Sequence, residues 1–288
     1  MQSEIFPSKD AVGSEAQNGG LEPPLVLAPD ETKPWFCRAN VLGIGVSALN
    51  MELALATFDR WIAAGARHYV CVADVHSIMQ GRWQPSQRAI LNNAGMVTPD
   101  GMPLVWLCRA AFGPSVSRVY GPDLLIAACK HSIGRGYRHF FYGGDHGVGE
   151  KLGDILQKRF PGLEVSGSYA PPFRPLSPSE EDEVVAMINA NKPHFVWVGL
   201  STPKQEQWMA KMRDRLDPPL LVGIGAAFDF HAGTKPQAPH FVQRSGFEWL
   251  FRLMTEPRRL WPRYRKVIPG FIARIVLQKT GLVRFDLE

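Results

Sequence analysis

From residue 41 onward, short apolar runs alternate with stretches whose apolar positions follow a helical period. The apolar runs are rich in β-branched and aromatic residues and predict strands at 41–46, 68–73, 96–98, 139–142, 164–168, 194–198 and 220–224. The amphipathic stretches predict helices at 51–64, 86–93, 103–112, 122–133, 148–160, 179–191 and 203–216. Such alternation is typical of an α/β fold, so we expect a Rossmann-like, mostly parallel sheet with helices on both faces.

The chain divides into three segments of different composition. Residues 1–34 mix Ser, Glu, Gly and Pro without periodicity and predict a disordered or loosely packed N-terminal extension. Residues 35–245 contain the predicted α/β domain, which we expect to be catalytic, and residues 246–288 form a basic helical appendage. Because ligands of open α/β sheets bind at the carboxyl ends of the strands, the loops after the strands are the places to search for chemistry.

Composition excludes several classes of protein. The chain has 288 residues, of which 45% are hydrophobic and 20% charged, as in ordinary globular domains. Its four cysteines lie far apart and favour reduced core thiols over a disulfide scaffold or a zinc site: Cys37, Cys71, Cys108 and Cys129. No run reaches the roughly 20 apolar residues of a membrane span, and the N-terminus lacks the pattern of a secretory signal. We therefore expect a cytoplasmic protein, at most on a membrane surface.

The net charge of +5 is concentrated near the C-terminus. Residues 246–288 hold nine of the 32 basic and four of the 27 acidic residues, which leaves the rest of the chain neutral. Aromatic and aliphatic residues interleave with these bases, as in segments that lie at a membrane interface. A tail of this kind indicates an anionic partner such as lipid headgroups, a diphosphate or nucleic acid. A helix pair packed on the domain with a solvated basic face is the alternative, and the two can coexist.

Three loops after predicted strands carry carboxylates. Asp100 lies in Pro99-Asp100-Gly101, between a strand and a helix, where it can serve as a general base or cap the helix. Asp74 can orient a sugar hydroxyl or cap the helix that follows it. His76, two residues further on, is a candidate ligand, although a packed or surface histidine is the commoner case. Asp229 is a candidate for hydrogen bonds to a ribose or a base.

Other loops contain features that suit anions. Glycines within 143–147 let backbone N–H groups approach a ligand, although this pattern alone is weak. Lys204 and Gln205 fall in the first turn of a helix predicted to begin at Pro203, where the positive helix end stabilises a phosphate. Arg118 can clamp a diphosphate with two hydrogen bonds or form a surface ion pair.

Five motifs follow one another in a fixed order: Pro99-Asp100-Gly101-Met102, Arg118 with Gly121-x-Asp123, Gly199-x-x-x-Pro203-Lys204-Gln205-Glu206, Gly223-x-Gly225-Ala-x-Phe228-Asp229-Phe230-x-x-Gly233, and Gly246-Phe-Glu248-Trp249 through Arg259. Over roughly residues 40–266, they resemble the WecG/TagA/CpsF glycosyltransferases. The resemblance implies an inverting enzyme that moves a sugar from a UDP-sugar to an undecaprenyl-diphosphate-linked saccharide without an essential metal. It would act in bacterial surface or exopolysaccharide synthesis, on the cytoplasmic face of the inner membrane.

The same resemblance implies roles for single residues. Asp100 would be the catalytic base, Arg118 and Gln205 would hold the UDP diphosphate, and Asp229 would contact the nucleoside. The appendage supplies four bases that we expect at the membrane or on the acceptor diphosphate: Arg252, Arg258, Arg259 and Arg263.

The stretch 70–79 distinguishes branches within the family. It resembles exopolysaccharide members such as the xanthan-type glucosyltransferases, because Asp74 and Val72 stand where the teichoic-acid branch usually has Asn and Thr. We expect Asp74, His76 and Lys204 to bind substrate as well.

Two alternatives belong to other classes. The basic aromatic tail would suit a nucleic-acid-binding module, but no known signature of that class accompanies it, so we expect no nucleic-acid partner. A nicotinamide-dependent oxidoreductase would need G-x-G-x-x-G after an early strand, whereas Ser47-Ala-Leu-Asn50 follows here. We expect neither a metal nor a cofactor beyond the UDP-sugar donor, and self-association stays open.

Overall fold

The structure is a computed structural model that describes residues 35–287, apart from the side chains of His240 and Arg244. The predicted N-terminal extension, residues 1–34, lies outside the described residues. The strands are β1 (Arg38–Val41), β2 (Ile44–Ser47), β3 (His68–Ala73), β4 (Met96–Pro99), β5 (Arg138–Gly143), β6 (Glu164–Tyr169), β7 (Phe195–Gly199) and β8 (Leu220–Gly223).

The helices follow the same alternation along the chain. They are α1 (Met51–Ala63), α2 (Val75–Trp83), α3 (Pro85–Asn93), α4 (Met102–Phe112), α5 (Gly121–Ser132), α6 (Val148–Arg159), α7 (Pro178–Ala190), α8 (Lys204–Met212), α9 (Ala227–His231), α10 (His240–Ser245), α11 (Glu248–Thr255) and α12 (Pro257–Lys279). None of the helices in the described part of the chain is both long and apolar enough to cross a membrane.

The central sheet has the order β4-β3-β8-β7-β5-β6, and all of its strand pairs are parallel. Side chains alternate across it, so Val70 and Trp197 enter one buried cluster while Cys71 and Val198 enter the other. Helices cover both clusters, so the strands are buried on both faces of the sheet. This is why the strands form continuous apolar runs in the sequence. The predicted α/β fold with helices on both faces is confirmed.

The strand predicted at 41–46 is wrong. This segment contains the turn of an antiparallel hairpin that pairs β1 with β2 outside the central sheet. Leu42 and Gly43 form the turn with φ of 56° and 84°, and positive φ at both central residues is what a two-residue type I′ hairpin turn requires. The turn is hidden in the sequence because Leu42, fully buried, continues the apolar run.

Five helices begin one residue away from their predicted starts, namely α3, α4, α5, α7 and α8. Helix α2 was not predicted, because His76, Ser77, Ile78 and Met79 are all buried in succession and leave no polar face to give a helical period. Helix α7 begins at Pro178 rather than 179, after Ser177, whose side chain forms a capping box with Glu180.

Helix α8 begins one residue after its predicted start. Its first residue is Lys204, and Pro203 precedes the helix instead of occupying its first position. Ser201 and Thr202 precede the helix, but neither side chain forms a capping bond. The Thr202 hydroxyl instead donates to the carboxylate of Glu206, at 2.8 Å.

The appendage is packed against the rest of the described chain. Val267 and Phe271 of α12 lie in the same buried cluster as Cys71 of β3. Near its end, Gln278 accepts a hydrogen bond from the Leu42 backbone N–H and donates to the carbonyl of Asn40, at 3.1 and 3.0 Å. The packed-helix alternative is therefore correct for one face of the appendage.

Candidate active site

The candidate site lies where β3 and β4 end side by side. The backbone N–H of Asp100 donates to the carbonyl of Ala73 at 3.0 Å, which fixes the loop after β4 against the end of β3. A Cβ built on Gly101 would lie 3.7 Å from the Cα of Asp74, so the loops that carry Asp74 and Asp100 are in contact. This is the carboxyl edge of a parallel sheet, where ligands of such folds bind.

Asp100 does not cap α4. The residue at the cap position is Gly101, and no side chain supplies a capping bond there. The Asp100 carboxylate instead lies 3.1 Å from Nη2 of Arg118, whose Nε donates to the Asp100 carbonyl. Its side chain is 19% exposed, so it is reachable from solvent while mostly shielded.

The environment of Asp100 favours its protonated form more than water does. The pKa of Asp100 is raised to about 7 as the net effect of its surroundings: burial is the largest cause, Glu248 and Asp74 act in the same direction, and Arg118 and Arg252 act against them. A carboxyl with a pKa in this range is suited to take up a proton near neutral pH.

Arg118 and Arg252 meet at one carboxylate, that of Glu248. Nη2 of Arg118 lies 2.6 Å from one oxygen, and Nη2 of Arg252 lies 2.8 Å from the other. The Tyr120 hydroxyl donates to the second oxygen at 3.2 Å, and the Arg118 guanidinium lies over the Tyr120 ring, 4.0 Å from its centroid. Burial lowers the pKa of Arg118, but Asp100 and Glu248 outweigh it, so the pKa is raised and the guanidinium stays charged.

Asp74 caps α2. Its Oδ1 accepts from the Ser77 backbone N–H at 2.8 Å in a capping box, so the capping alternative holds. His76 is buried and its Nδ1 has no hydrogen-bond partner. Burial lowers the pKa of His76, and Arg263 lowers it further, although Asp74 acts in the opposite direction. Because the pKa is lowered, the imidazole is neutral at pH 7, with one ring nitrogen that donates a hydrogen bond and one that accepts.

Gln205 and Glu206 lie buried at the start of α8. Gln205 Nε2 donates to a Glu206 oxygen at 3.1 Å, while Gln205 Oε1 and the second Glu206 oxygen have no hydrogen-bond partner. A Cβ on Gly225 would lie 3.4 Å from Gln205 Oε1, which places this amide over the loop after β8. Burial raises the pKa of Glu206, although its hydrogen bonds oppose the shift. Lys204, one residue earlier, is exposed.

Asp229 lies in α9, and its carboxylate is engaged locally. Lys235 Nζ lies 2.6 Å from one oxygen, and the Thr234 hydroxyl donates to the other at 3.1 Å. The next residue, Phe230, brings α9 to the site, because the Arg252 guanidinium lies 5.4 Å from its ring centroid.

The glycine run 143–147 has a structural use. Gly143 has φ of 111°, and a Cβ there would lie 2.7 Å from the Gly199 carbonyl oxygen, so β5 and β7 end too close together for a side chain. Beside this run is an open pocket lined in part by His146, Glu150 and Tyr169.

The remaining predicted bases lie on α12. Arg258 is exposed, and Arg259 is exposed and paired with Glu256. Arg263 is half-buried, and its charge acts on His76. Within residues 35–287, no group of three or more His, Cys, Asp or Glu side chains is arranged to hold a metal ion.

Residues 39–284 match the sequence pattern of the glycosyl transferase WecG/TagA/CpsF family. The chain belongs to this family. A relative from Bacillus spizizenii, an N-acetylglucosaminyldiphosphoundecaprenol N-acetyl-beta-D-mannosaminyltransferase, is 30% identical over 72% of this chain and 78% of its own. A protein with the same name from Staphylococcus aureus is 26% identical over 84% of this chain and 93% of its own. The xanthan-type branch suggested by the stretch 70–79 stays a prediction.

In this WecG/TagA/CpsF glycosyltransferase, the structure brings Asp74, Asp100, Arg118 and Arg252 into one cluster. Glu248 also belongs to this cluster, although the sequence pattern marked it only as part of a motif, without a role. The signal was available, since an acid in a basic segment with an Arg four residues later predicts a helical ion pair.

Proposed function

We propose that this protein is an inverting, metal-independent glycosyltransferase that transfers a sugar from a UDP-sugar to an undecaprenyl-diphosphate-linked saccharide. Family membership supports the reaction class, and the relatives' names support an N-acetylglucosaminyl-diphosphoundecaprenol acceptor. The observation that carries the proposal is the carboxyl of Asp100, which lies at the sheet edge beside Arg118 with a pKa of about 7. Neither the oxidoreductase nor the nucleic-acid alternative gains support from the family match.

The proposed step is a single displacement. Asp100 accepts the proton of the acceptor hydroxyl while that oxygen forms a bond to the anomeric carbon, and the bond from this carbon to the UDP oxygen breaks on the opposite face. Because neutral pH is close to the pKa of Asp100, a sufficient fraction of its carboxyl is ionised at that pH to serve as the base. The negative charge that grows on UDP is stabilised by fixed cations and helix dipoles.

We assign the leaving diphosphate to Arg118 and Gln205, with Lys204 beside them at the positive end of α8. Gln205 suits this assignment because its buried Oε1 has no partner and lies beside Gly225, in the loop after β8. Asp229 is assigned to the nucleoside, which requires exchange of its contacts with Thr234 and Lys235.

Asp74 and His76 are assigned to the transferred sugar or the acceptor. His76 suits this role because its Nδ1 has no partner in the folded chain. We place the protein as a peripheral protein at the cytoplasmic face of the bacterial inner membrane, where the basic appendage meets anionic lipid and the acceptor diphosphate. The pathway would be surface or exopolysaccharide synthesis, and self-association stays open.

The test is substitution of Asp100. Asp100→Asn and Asp100→Ala are expected to lower transfer by about 10² to 10⁴, since a positioned base contributes roughly that factor. UDP affinity, measured by calorimetry, should change little. Asp154→Asn, on the exposed surface of α6, is the matched control and should keep wild-type turnover.

The assay would screen UDP-glucose, UDP-N-acetylmannosamine and UDP-glucuronate against short-chain prenyl-diphosphate sugars. Turnover of Asp100→Asn near the wild-type value would remove Asp100 from the base role. Absence of transfer from every donor by the wild type, combined with a failure to bind UDP, would refute the proposed function itself.

A further inference from the structure

Glu248 belongs to the appendage by sequence but to the active site by position. It is the first residue of α11, its side chain is only 12% exposed, and it is 130 residues from Arg118 along the chain. Its two oxygens receive hydrogen bonds from Arg118, Tyr120 and Arg252. A mostly buried acid that accepts hydrogen bonds from two guanidinium groups and a phenol differs from an exposed acid in a surface ion pair, because its contacts are shielded from water.

The geometry links Glu248 directly to the proposed base. One nitrogen of Arg118, Nη2, serves both carboxylates: it lies 2.6 Å from Glu248 and 3.1 Å from Asp100. The shorter contact is the one to Glu248, so Arg118 interacts more strongly with Glu248 than with Asp100. A second cation, Arg252, also turns its guanidinium to Glu248, at 2.8 Å.

We propose that Glu248 is a positioning residue of the transfer reaction, which draws Arg118 and Arg252 away from Asp100 and so keeps Asp100 able to accept the acceptor proton. This inference rests on the proposed function, because it gives Glu248 a role through the base Asp100. It also gives the appendage a part in catalysis that is separate from its contact with lipid.

The charges that surround Asp100 come from three parts of the fold. Arg118 and Tyr120 lie on the segment between α4 and α5, Asp74 lies at the start of α2, and Glu248 and Arg252 lie on α11. Among these groups, the two arginines lower the pKa of Asp100, whereas Glu248 and Asp74 raise it.

Neutralising Glu248 therefore acts on Asp100 in two ways that have the same sign. The repulsion between the two carboxylates disappears, and Arg118 is freed to pair with Asp100 alone. Both effects lower the pKa of Asp100. A carboxylate with a lower pKa is a weaker base, so transfer at neutral pH should fall while the acidic limb of the pH profile moves to lower pH.

The first experiment measures kcat/KM for transfer against pH in the full-length protein, because this ratio reports the free enzyme. Glu248→Gln is expected to shift the acidic limb to lower pH and to reduce the plateau. Glu248→Asp keeps the charge, so its limb should stay nearer to that of the wild type. Glu181→Gln is the matched control, since Glu181 is also held by two bases, Lys211 and Arg215, with 16% of its side chain exposed.

A role limited to holding α11 in place would lower activity without moving the limb. An acidic limb in Glu248→Gln that coincides with that of the wild type, or that moves to higher pH, would overturn the proposal. So would a limb in Glu248→Asp displaced as far as in Glu248→Gln. Thermal unfolding of each variant at one pH identifies any variant that is not folded at the assay temperature.

A second measurement does not depend on transfer. The side-chain carboxyl carbon of Asp100, labelled with ¹³C and assigned by its loss in Asp100→Asn, is followed by NMR as pH changes. Its titration midpoint is expected to move to lower pH in Glu248→Gln and to remain at the wild-type pH in Glu181→Gln. An unchanged midpoint in Glu248→Gln refutes the inference even if Asp100 is the base, whereas a shifted midpoint in a protein that transfers no sugar refutes only the proposed function.

Discussion

At the scale of single residues, the mostly shielded carboxyl of Asp100 makes stability depend on pH. In the folded protein its pKa is raised to about 7, first by burial, while in the unfolded chain an Asp titrates at about 4. Between these values the folded state binds more protons than the unfolded state, so the free energy of unfolding falls as pH rises from about 4 to about 7.

Asp100→Asn should abolish this fall. The free energy of unfolding in urea, measured at pH 5 and at pH 8, should fall more between these two pH values in the wild type than in Asp100→Asn. The difference between the two falls is expected to be on the order of a few kcal/mol. The comparison cancels other titrating groups, because they are common to both proteins. Parallel pH dependences would mean that Asp100 titrates near its ordinary value and that its environment does not favour the protonated form.

Single-residue chemistry could be predicted from the sequence where the signal was local. The Pro99-Asp100-Gly101 turn placed a carboxylate at the end of a strand, and the structure finds it there without a capping role. The choice between capping and catalysis could not be made in advance, because it depends on Arg118, 18 residues away. Glu248 was harder still, since only the folded chain brings it to Arg118.

At the scale of elements, the meeting of β5 and β7 depends on glycine. A Cβ on Gly143 would lie 2.7 Å from the Gly199 carbonyl oxygen, whereas a Cβ on Gly147 would meet no atom within 4 Å. Both glycines have positive φ, so both Gly→Ala substitutions carry the cost of a left-handed conformation, roughly 1–2 kcal/mol. Gly143→Ala adds a clash with backbone, which costs about a further 1–3 kcal/mol.

We therefore expect Gly143→Ala to lower the free energy of unfolding clearly more than Gly147→Ala. Chemical denaturation of the two variants measures this difference. Equal losses would indicate that the ends of β5 and β7 can separate without cost. UDP affinity of the folded variants tests the anion-binding alternative for these glycines. If the glycines serve only the backbone, the UDP affinity of Gly147→Ala should equal that of the wild type.

Most elements of the central sheet were predictable because their runs are apolar on both faces and end at clear breaks. Two of the misses share a physical cause, which is that burial hides the sequence period. Leu42 hides a hairpin turn by being fully buried, and α2 shows no helical stripe because four successive residues are buried. The starts of α7 and α8 moved because a Pro in each case marked the boundary only to within one or two residues.

At the scale of the whole molecule, the appendage divides its apolar residues between two environments. Leu260, Val267 and Phe271 are buried, whereas Trp261 and Ile272 are 59% and 57% exposed. The sequence could not separate these sets, because Pro262 and Pro269 lie inside α12 and obscure its period. One face holds α12 to the domain, and the other leaves large apolar side chains beside bases, which is the arrangement of interfacial helices.

This division predicts that lipid binding can be weakened without unfolding the domain. Arg258, Arg265 and Lys266 are exposed on α12, and each base near an anionic leaflet contributes about 1 kcal/mol. Replacing all three with Gln should therefore weaken association with vesicles that contain phosphatidylglycerol by about 100-fold, measured by sedimentation. Truncation at residue 245 is a poorer test, because it removes Val267 and Phe271 from the buried core.

The matched control neutralises three exposed bases elsewhere, Arg135, Lys151 and Lys158, and so makes the same change in net charge. This control should keep most of the vesicle affinity, because α5 and α6, near which those bases lie, pack into the other buried cluster from the one that α12 enters. Equal losses in the two triple variants would show that only net charge matters and would contradict a defined lipid-facing surface. The difference in vesicle affinity between the wild type and the α12 variant should become smaller as the salt concentration rises, because salt screens the attraction between exposed charges and lipid.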